Sequence, residues 1–266
     1  MAGMTSSTGS AERSGPLWGT RPEDWAANEE QQLPTYEAAI GRSGIGAGQR
    51  VLEVGCGSGV FLRAAADRGA QVAGLDASTA LIELARSRVP EAELAVGDMQ
   101  FLPYDDDAFD VVAGFNAFFF AADMVAAVRE AGRVARPGSA VVIQVWGRPE
   151  RCDLAAMKRA LAELAPAPEP GAAASPALWE PGVLEDVATR AGLSASEAYD
   201  VSWAYEFPDE AALTRALLAP GPIVELAAVV GDDAVRRAIV ESLAAYRSSD
   251  GAYRLENEWH TLIARA

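Results

Sequence analysis

Between residues 51 and 146, short apolar runs alternate with stretches of helical periodicity. That alternation predicts strand–helix–strand units and a parallel sheet, because a parallel pair needs a crossover, usually a helix, to bring the chain back. Predicted strands cover 51–54, 71–75, 93–96, 109–114 and 140–146. Predicted helices cover 60–67, 78–89 and 123–134, with Ser78 and Asp123 as N-caps and Gly69 and Pro90 as stops. Arg136-Pro137-Gly138-Ser139 is expected to turn the chain into the fifth strand. The second half is less regular. Helices are expected over 153–164, 182–191, 209–218, 222–230 and 232–247, and strands over 195–207 and 253–264, with an Ala-, Pro- and Gly-rich loop at 165–177.

The fold class expected is therefore α/β, doubly wound, with helices on both faces of a mostly parallel sheet. Four parts follow from composition and period. Residues 1–15, rich in Gly, Ser and Thr, read as a disordered tail. Residues 16–47 read as an N-terminal helical lid with a helix near 34–40. Residues 48–207 and 251–266 form the α/β domain, and 208–250 a helical cap insertion.

In open α/β sheets, ligands bind outside the carboxyl ends of the strands. Here each of those ends carries a distinctive group. The first strand runs into Glu53-Val54-Gly55-Cys56-Gly57-Ser58-Gly59, where glycines let backbone approach a ligand and a helix N-terminus offers free N–H groups. Dinucleotide dehydrogenases carry G-x-G-x-x-G at this place. This loop is G-x-G-x-G, and Glu53 would repel a pyrophosphate but suit the ammonium of an amino acid. Asp76 ends the second strand, where a carboxylate can accept both hydroxyls of a ribose diol. Gly97-Asp98-Met99 ends the third, placed to meet the amine and ring of an adenine. Gly114-Phe115-Asn116 ends the fourth, near a reacting centre. Any one of these acids alone is an ordinary strand-end residue; the set in register is not.

This set resembles the class I S-adenosylmethionine-dependent methyltransferases, in particular the small-molecule branch with the ubiquinone and menaquinone enzymes. The resemblance rests on VLEVGCGSG at 51–59, GLDAS at 74–78, GDMQFLPYDDDAFDVV at 97–112 and RPGS at 136–139, and it covers about residues 48–147. It implies a seven-stranded sheet whose last strand, 253–264, is antiparallel. It implies that Gly55, Gly57 and Gly59 line the methionine moiety beside Glu53. It further implies that Asp76 holds the ribose, that Asp98 with Met99 frames the adenine, that Ala77 belongs to the same cofactor site, and that Asn116 lies near the methionyl group and the substrate. The cofactor implied is S-adenosylmethionine and the product S-adenosylhomocysteine. The reaction implied is an SN2 transfer to O, N or C of a small, aromatic or hydrophobic metabolite. A protein of the same fold that binds the cofactor as a regulatory or partner subunit is the alternative.

No general base stands out. His260, the sole histidine, and Asp123 are the candidates. Trp18, Trp25, Phe118, Phe119 and Trp146 are expected to wall a substrate pocket, with Phe115 and Phe120 in the same crowd. No His, Cys and Asp cluster has metal-ligand spacing. The formal net charge of −16 argues against nucleic acid and anionic lipid as partners. The two cysteines, Cys56 and Cys152, are too few for a disulfide framework, which makes the cytoplasm the default compartment. No apolar run is long enough to span a membrane. The apolar helices of 208–250 suit either a cap over the site or a homodimer contact.

Overall fold

The computed structural model describes residues 10–166 and 176–266. Seven strands make one sheet: β1 (Arg50–Val54), β2 (Gln71–Asp76), β3 (Glu93–Val96), β4 (Phe109–Phe115), β5 (Ala135–Trp146), β6 (Ser194–Phe207) and β7 (Tyr253–Arg265). Their order is β3-β2-β1-β4-β5-β7-β6. The pairs from β3 through to β5 are parallel, while β7 runs antiparallel to both β5 and β6. The sheet is thus mixed. The chain winds outward from β1 to β3 and then returns to place β4 on the other side of β1. That reversal opens a crevice at the carboxyl ends of β1 and β4.

Successive residues in these strands serve opposite faces, as the two-residue period of a strand requires. Leu52, Val112, Val141 and Leu262 pack on one side with Val128 and Ala131 of α6 (Met124–Val134) and Leu184 of α8 (Val183–Ala191). Val51, Val111, Val142 and Ile263 pack on the other with Ile40 of α3 (Leu33–Ser43) and Phe61 and Leu62 of α4 (Val60–Ala66). Both faces are apolar around the inner strands, so β1, β4 and the second half of β5 read as nearly continuous hydrophobic runs. Between β2 and β3 lies α5 (Thr79–Arg88), where the Ser78 hydroxyl accepts from Leu81 N–H at 3.3 Å. Asp123 caps α6 in the same way, from Ala126 N–H at 3.1 Å.

A third core stands over the antiparallel β6–β7 pair. It joins α7 (Leu154–Leu164), α9 (Glu210–Leu217) and α11 (Asp232–Leu243) around Trp259, Tyr205 and Leu255, with α10 (Gly221–Val230) against it. No single helix among the described residues is long and apolar enough to cross a membrane.

Three expectations need correction. Residues 10–15 are not a tail: α1 (Ser10–Trp18) is a helix, followed by α2 (Pro22–Glu30). Tertiary contacts rather than helix propensity hold α1, as described below. The Arg136–Ser139 turn lies within β5, where Gly138 has φ +79° and its N–H bonds Ala266 O at 2.8 Å. The helix expected to end at 247 ends at Leu243, in a tighter 3-10 turn over Ala244–Tyr246. Residues 1–9 of the expected tail, and 167–175 of the expected loop, lie outside the described residues.

Candidate active site

The glycine loop is pinned to the neighbouring strand end. The N–H groups of Gly55 and Cys56 both bond Leu75 O, at 2.7 and 3.0 Å. Gly57 N–H donates to one oxygen of Asp76 at 2.9 Å, and Ser78 N–H to the other at 2.8 Å. Gly57 has φ +51°, and a Cβ there would lie 2.7 Å from the Glu29 carboxylate, so position 57 is closed to other residues on two counts. Gly59 departs from its expected role. It packs α4 against α5, where a Cβ would meet Ala85 at 3.1 Å, and it does not line the cavity.

Three carboxylates surround this loop. Glu53 is 1 % exposed and its Oε2 has no hydrogen-bond partner among the described residues. Burial, with the nearby charges of Glu29 and Asp76, pushes its pKa well up. Burial also raises Asp76, against the N–H groups that favour its ionised form. Glu29 is pushed up to about 7, again by burial, opposed by Ser58 and by the Arg88 guanidinium. A buried carboxylate with a free oxygen behind a glycine loop suits the ammonium of an amino acid.

The N-terminal helices close over these groups. Glu29, at the end of α2, accepts from Ser58 N–H at 2.8 Å. Arg88 holds the same corner, bonding Ser58 Oγ at 2.9 Å and Glu30 at 2.6 Å. Gln32 accepts from Asn116 Nδ2 at 3.2 Å. Asn116 sits in the left-handed region at φ +50°, and its Oδ1 is buried without a partner among the described residues. At the other end, Ser10 Oγ and Ala11 N–H donate to Asp98 Oδ2 at 3.2 and 3.1 Å. Gly15 lies so close to Ala77 that a Cβ would fall 2.3 Å from its carbonyl oxygen. Trp18 then meets Trp25 edge to face at 4.6 Å and Phe120 at 5.4 Å.

The space between them is a cavity of about 580 Å³, in the ordinary range of about 300–1,000 Å³ for small-molecule and cofactor sites. On one side it is bounded by Gly55, Gly57, Asp76, Ala77, Met99 and Asn116, and on the other by the aromatic and cap residues. Trp18, Trp25, Phe119 and Trp146 line it, as does Phe120. Phe118 does not. It is 1 % exposed, and it packs onto Gly114 beneath the site. Neither candidate base lies in the cavity. His260 projects from the face of β7 opposite Trp259 and pairs Nδ1 with Asp200 at 2.7 Å. Asp123 is spent on capping α6. The sequence reading also missed Glu29, Gln32, Tyr205 and Lys158, all of which line the cavity. Glu29 and Gln32 stand in an unbroken polar run, NEEQQ at 28–32, which carries no period from which burial follows.

Fold and site together define an α/β enzyme built around an amino-acid-bearing nucleoside. A family model described as a methyltransferase domain matches residues 52–143. The Mycobacterium tuberculosis protein Rv1405c is 32% identical over 259 residues, covering 90% of this chain and 88% of that protein. Malonyl-[acyl-carrier protein] O-methyltransferase of Serratia marcescens is 31% identical over 111 residues, 42% of this chain and 44% of that enzyme. This chain belongs to the class I S-adenosylmethionine-dependent methyltransferase family. Its fold also matches the crystal structure of the YcgJ protein from Bacillus subtilis, with a TM-score of 0.58 at 19% identity over 88% of this chain and 99% of that one. The cofactor is accordingly S-adenosylmethionine. The Asp76 carboxylate and the glycine loop bordering the cavity, with the unpartnered Glu53 oxygen buried behind that loop, fit such a molecule.

Proposed function

We propose that this enzyme methylates O, N or C of a small aromatic or hydrophobic metabolite held between the glycine loop and the helical cap. The observation that supports this reading is one shared cavity. Its cofactor-motif wall faces a wall of Trp18, Trp25, Phe119, Phe120, Trp146 and Tyr205 with little polar surface between.

S-adenosylmethionine, when bound, supplies a methyl group on a sulfonium that departs as a neutral thioether, so no acid is needed for the leaving group. The chain's own residues do the rest. Glu53 would take the ammonium, Asp76 the ribose diol and Met99 the adenine side, with Ala77 lining the same wall. Asp98 braces α1 across that end. Gln32 and Asn116 set the polar edge near the reacting centre. The aromatic wall excludes water and fixes the acceptor, and orientation of this kind accounts for much of a methyl transfer. Aromatic faces also attract a sulfonium. We assign residues 10–43 the role of a lid and α7 with α9–α11 that of a cap that sets specificity.

The test is calorimetric titration with S-adenosylmethionine and S-adenosylhomocysteine, followed by transfer of labelled methyl to a panel of aromatic and aliphatic acceptors. Transfer to an apolar aromatic acceptor, lost when Trp146 and Phe119 are replaced by Ala while S-adenosylhomocysteine still binds, supports the reading. Transfer only to polar or macromolecular acceptors would overturn the substrate class.

A further inference from the structure

The chain has 22 Lys and Arg residues, and 21 of them are arginine. The single lysine, Lys158, stands on α7 and lines the cavity. Its ammonium lies 4.4 Å from the centre of the Trp146 ring. Trp146 is in turn stacked on the fully buried Trp259 at 5.1 Å and 28°, which holds the ring as a fixed plate. Met157, Leu161 and Tyr205 line the same part of the cavity.

Among the described residues Lys158 has no ion-pair or hydrogen-bond partner. Among the described residues, the acids nearest in sequence and strand register are engaged elsewhere. Glu258 holds Arg148 at 3.0 Å and Arg151 at 3.5 Å. Asp153 accepts from Glu256 N–H at 2.7 Å. The Cys152 thiol is pushed up by burial and stays neutral. Lys158 keeps accessible surface where it lines the cavity, and the surrounding protein desolvates its ammonium and lowers its pKa. A ring face compensates a desolvated ammonium only in part. The remainder is left for an anion.

We propose that Lys158 is an anion subsite for the methyl acceptor, which is an apolar molecule bearing a carboxylate. This rests on the methyl-transfer reading and names its substrate class. A phenol stays protonated near neutral pH, with an ordinary pKa of about 10, and brings no charge to the pocket. A carboxylate arrives ionised, bonds the ammonium by charge-assisted hydrogen bonds, and leaves its apolar body against Trp146 and Met157. In an enzyme of net charge −16 such a molecule needs a local cation to be held at all.

The probes are 2-naphthoate, 2-naphthamide and 2-naphthol, titrated by tryptophan fluorescence into the full chain saturated with S-adenosylhomocysteine. Naphthoate should bind at least about tenfold more tightly than either neutral probe, a difference of about 1.4 kcal/mol. Lys158→Met should abolish that preference while keeping S-adenosylhomocysteine affinity within about twofold. Lys158→Arg should keep the preference, and it serves as the second variant if the methionine form fails to fold. Equal binding of the three probes by the unaltered chain, or a preference that survives in Lys158→Met, overturns the proposal. Failure of S-adenosylhomocysteine to bind would count against the methyl-transfer reading instead, and the naphthoate preference measured without it would still decide the role of Lys158.

Discussion

Glu29 and Glu53 carry the electrostatic character of the site, and each makes a measurable claim. Glu29 titrates at about 7 in the folded chain against an ordinary 4.5. Between those values the native state binds more protons than the unfolded one, so stability falls as pH rises through that window. Glu53 and Asp76 are raised as well and act with the same sign. Glu29→Gln should therefore flatten part of the decline when urea midpoints are compared at about pH 5 and about pH 8. A slope identical to that of the unaltered chain would mean that Glu29 is already ionised. Ligand affinity should run the opposite way. A cationic cofactor favours the ionised carboxylates, so S-adenosylmethionine should bind more tightly at about pH 8 than at about pH 6. Asp76→Ala removes the ribose acceptor and the anchor of Gly57 N–H together. Calorimetry should show a loss of at least about a hundredfold in affinity, of the order expected for one buried charged hydrogen-bonding group.

Among the elements, the inner strands and their end groups were readable because both faces of that part of the sheet are apolar and β1, β2 and β3 are closed by glycine or an acid. Glu93–Val96 is observed at the boundaries expected, and Ser78 and Asp123 cap as expected. What was not readable depends on tertiary placement. Three consecutive phenylalanines at 118–120 carry no pattern that separates them, and only the 3-10 turn sends Phe118 into the core and leaves Phe119 and Phe120 at the cavity. The α1 sequence, SAERSGPLW, contains Gly and Pro and has weak helical propensity. It is ordered by Asp98 and by the close seat of Gly15 on Ala77. Gly15→Val should therefore lift α1 from that seat. Limited proteolysis should then cut within residues 10–20, and S-adenosylhomocysteine should dissociate about tenfold faster in stopped-flow measurements. Unchanged dissociation would mean that α1 does not gate the cavity.

Across the whole molecule, Trp259 ties the cap to the sheet. It pairs with Trp146 across β5 and β7, and it packs against Tyr205 at 5.6 Å. Trp259→Ala should cost about 3–5 kcal/mol in guanidinium unfolding and should loosen cap and sheet together; a separate early transition of the cap would show that the two are independent. The strand order adds a temporal consequence. β7 follows β6 in sequence yet lies between β6 and β5. During synthesis, the strands from β3 to β5 can pair among themselves once β5 has emerged, but the outer edge of β5 and the whole of β6 must wait for a neighbour not yet translated. Until Tyr253–Arg265 arrives, the growing chain carries the open edge of β5 and an unpaired fourteen-residue β6. Such exposed edges invite pairing with other chains. The interval between translating β6 and β7 is thus when a nascent copy is most vulnerable to aggregation and most in need of a chaperone.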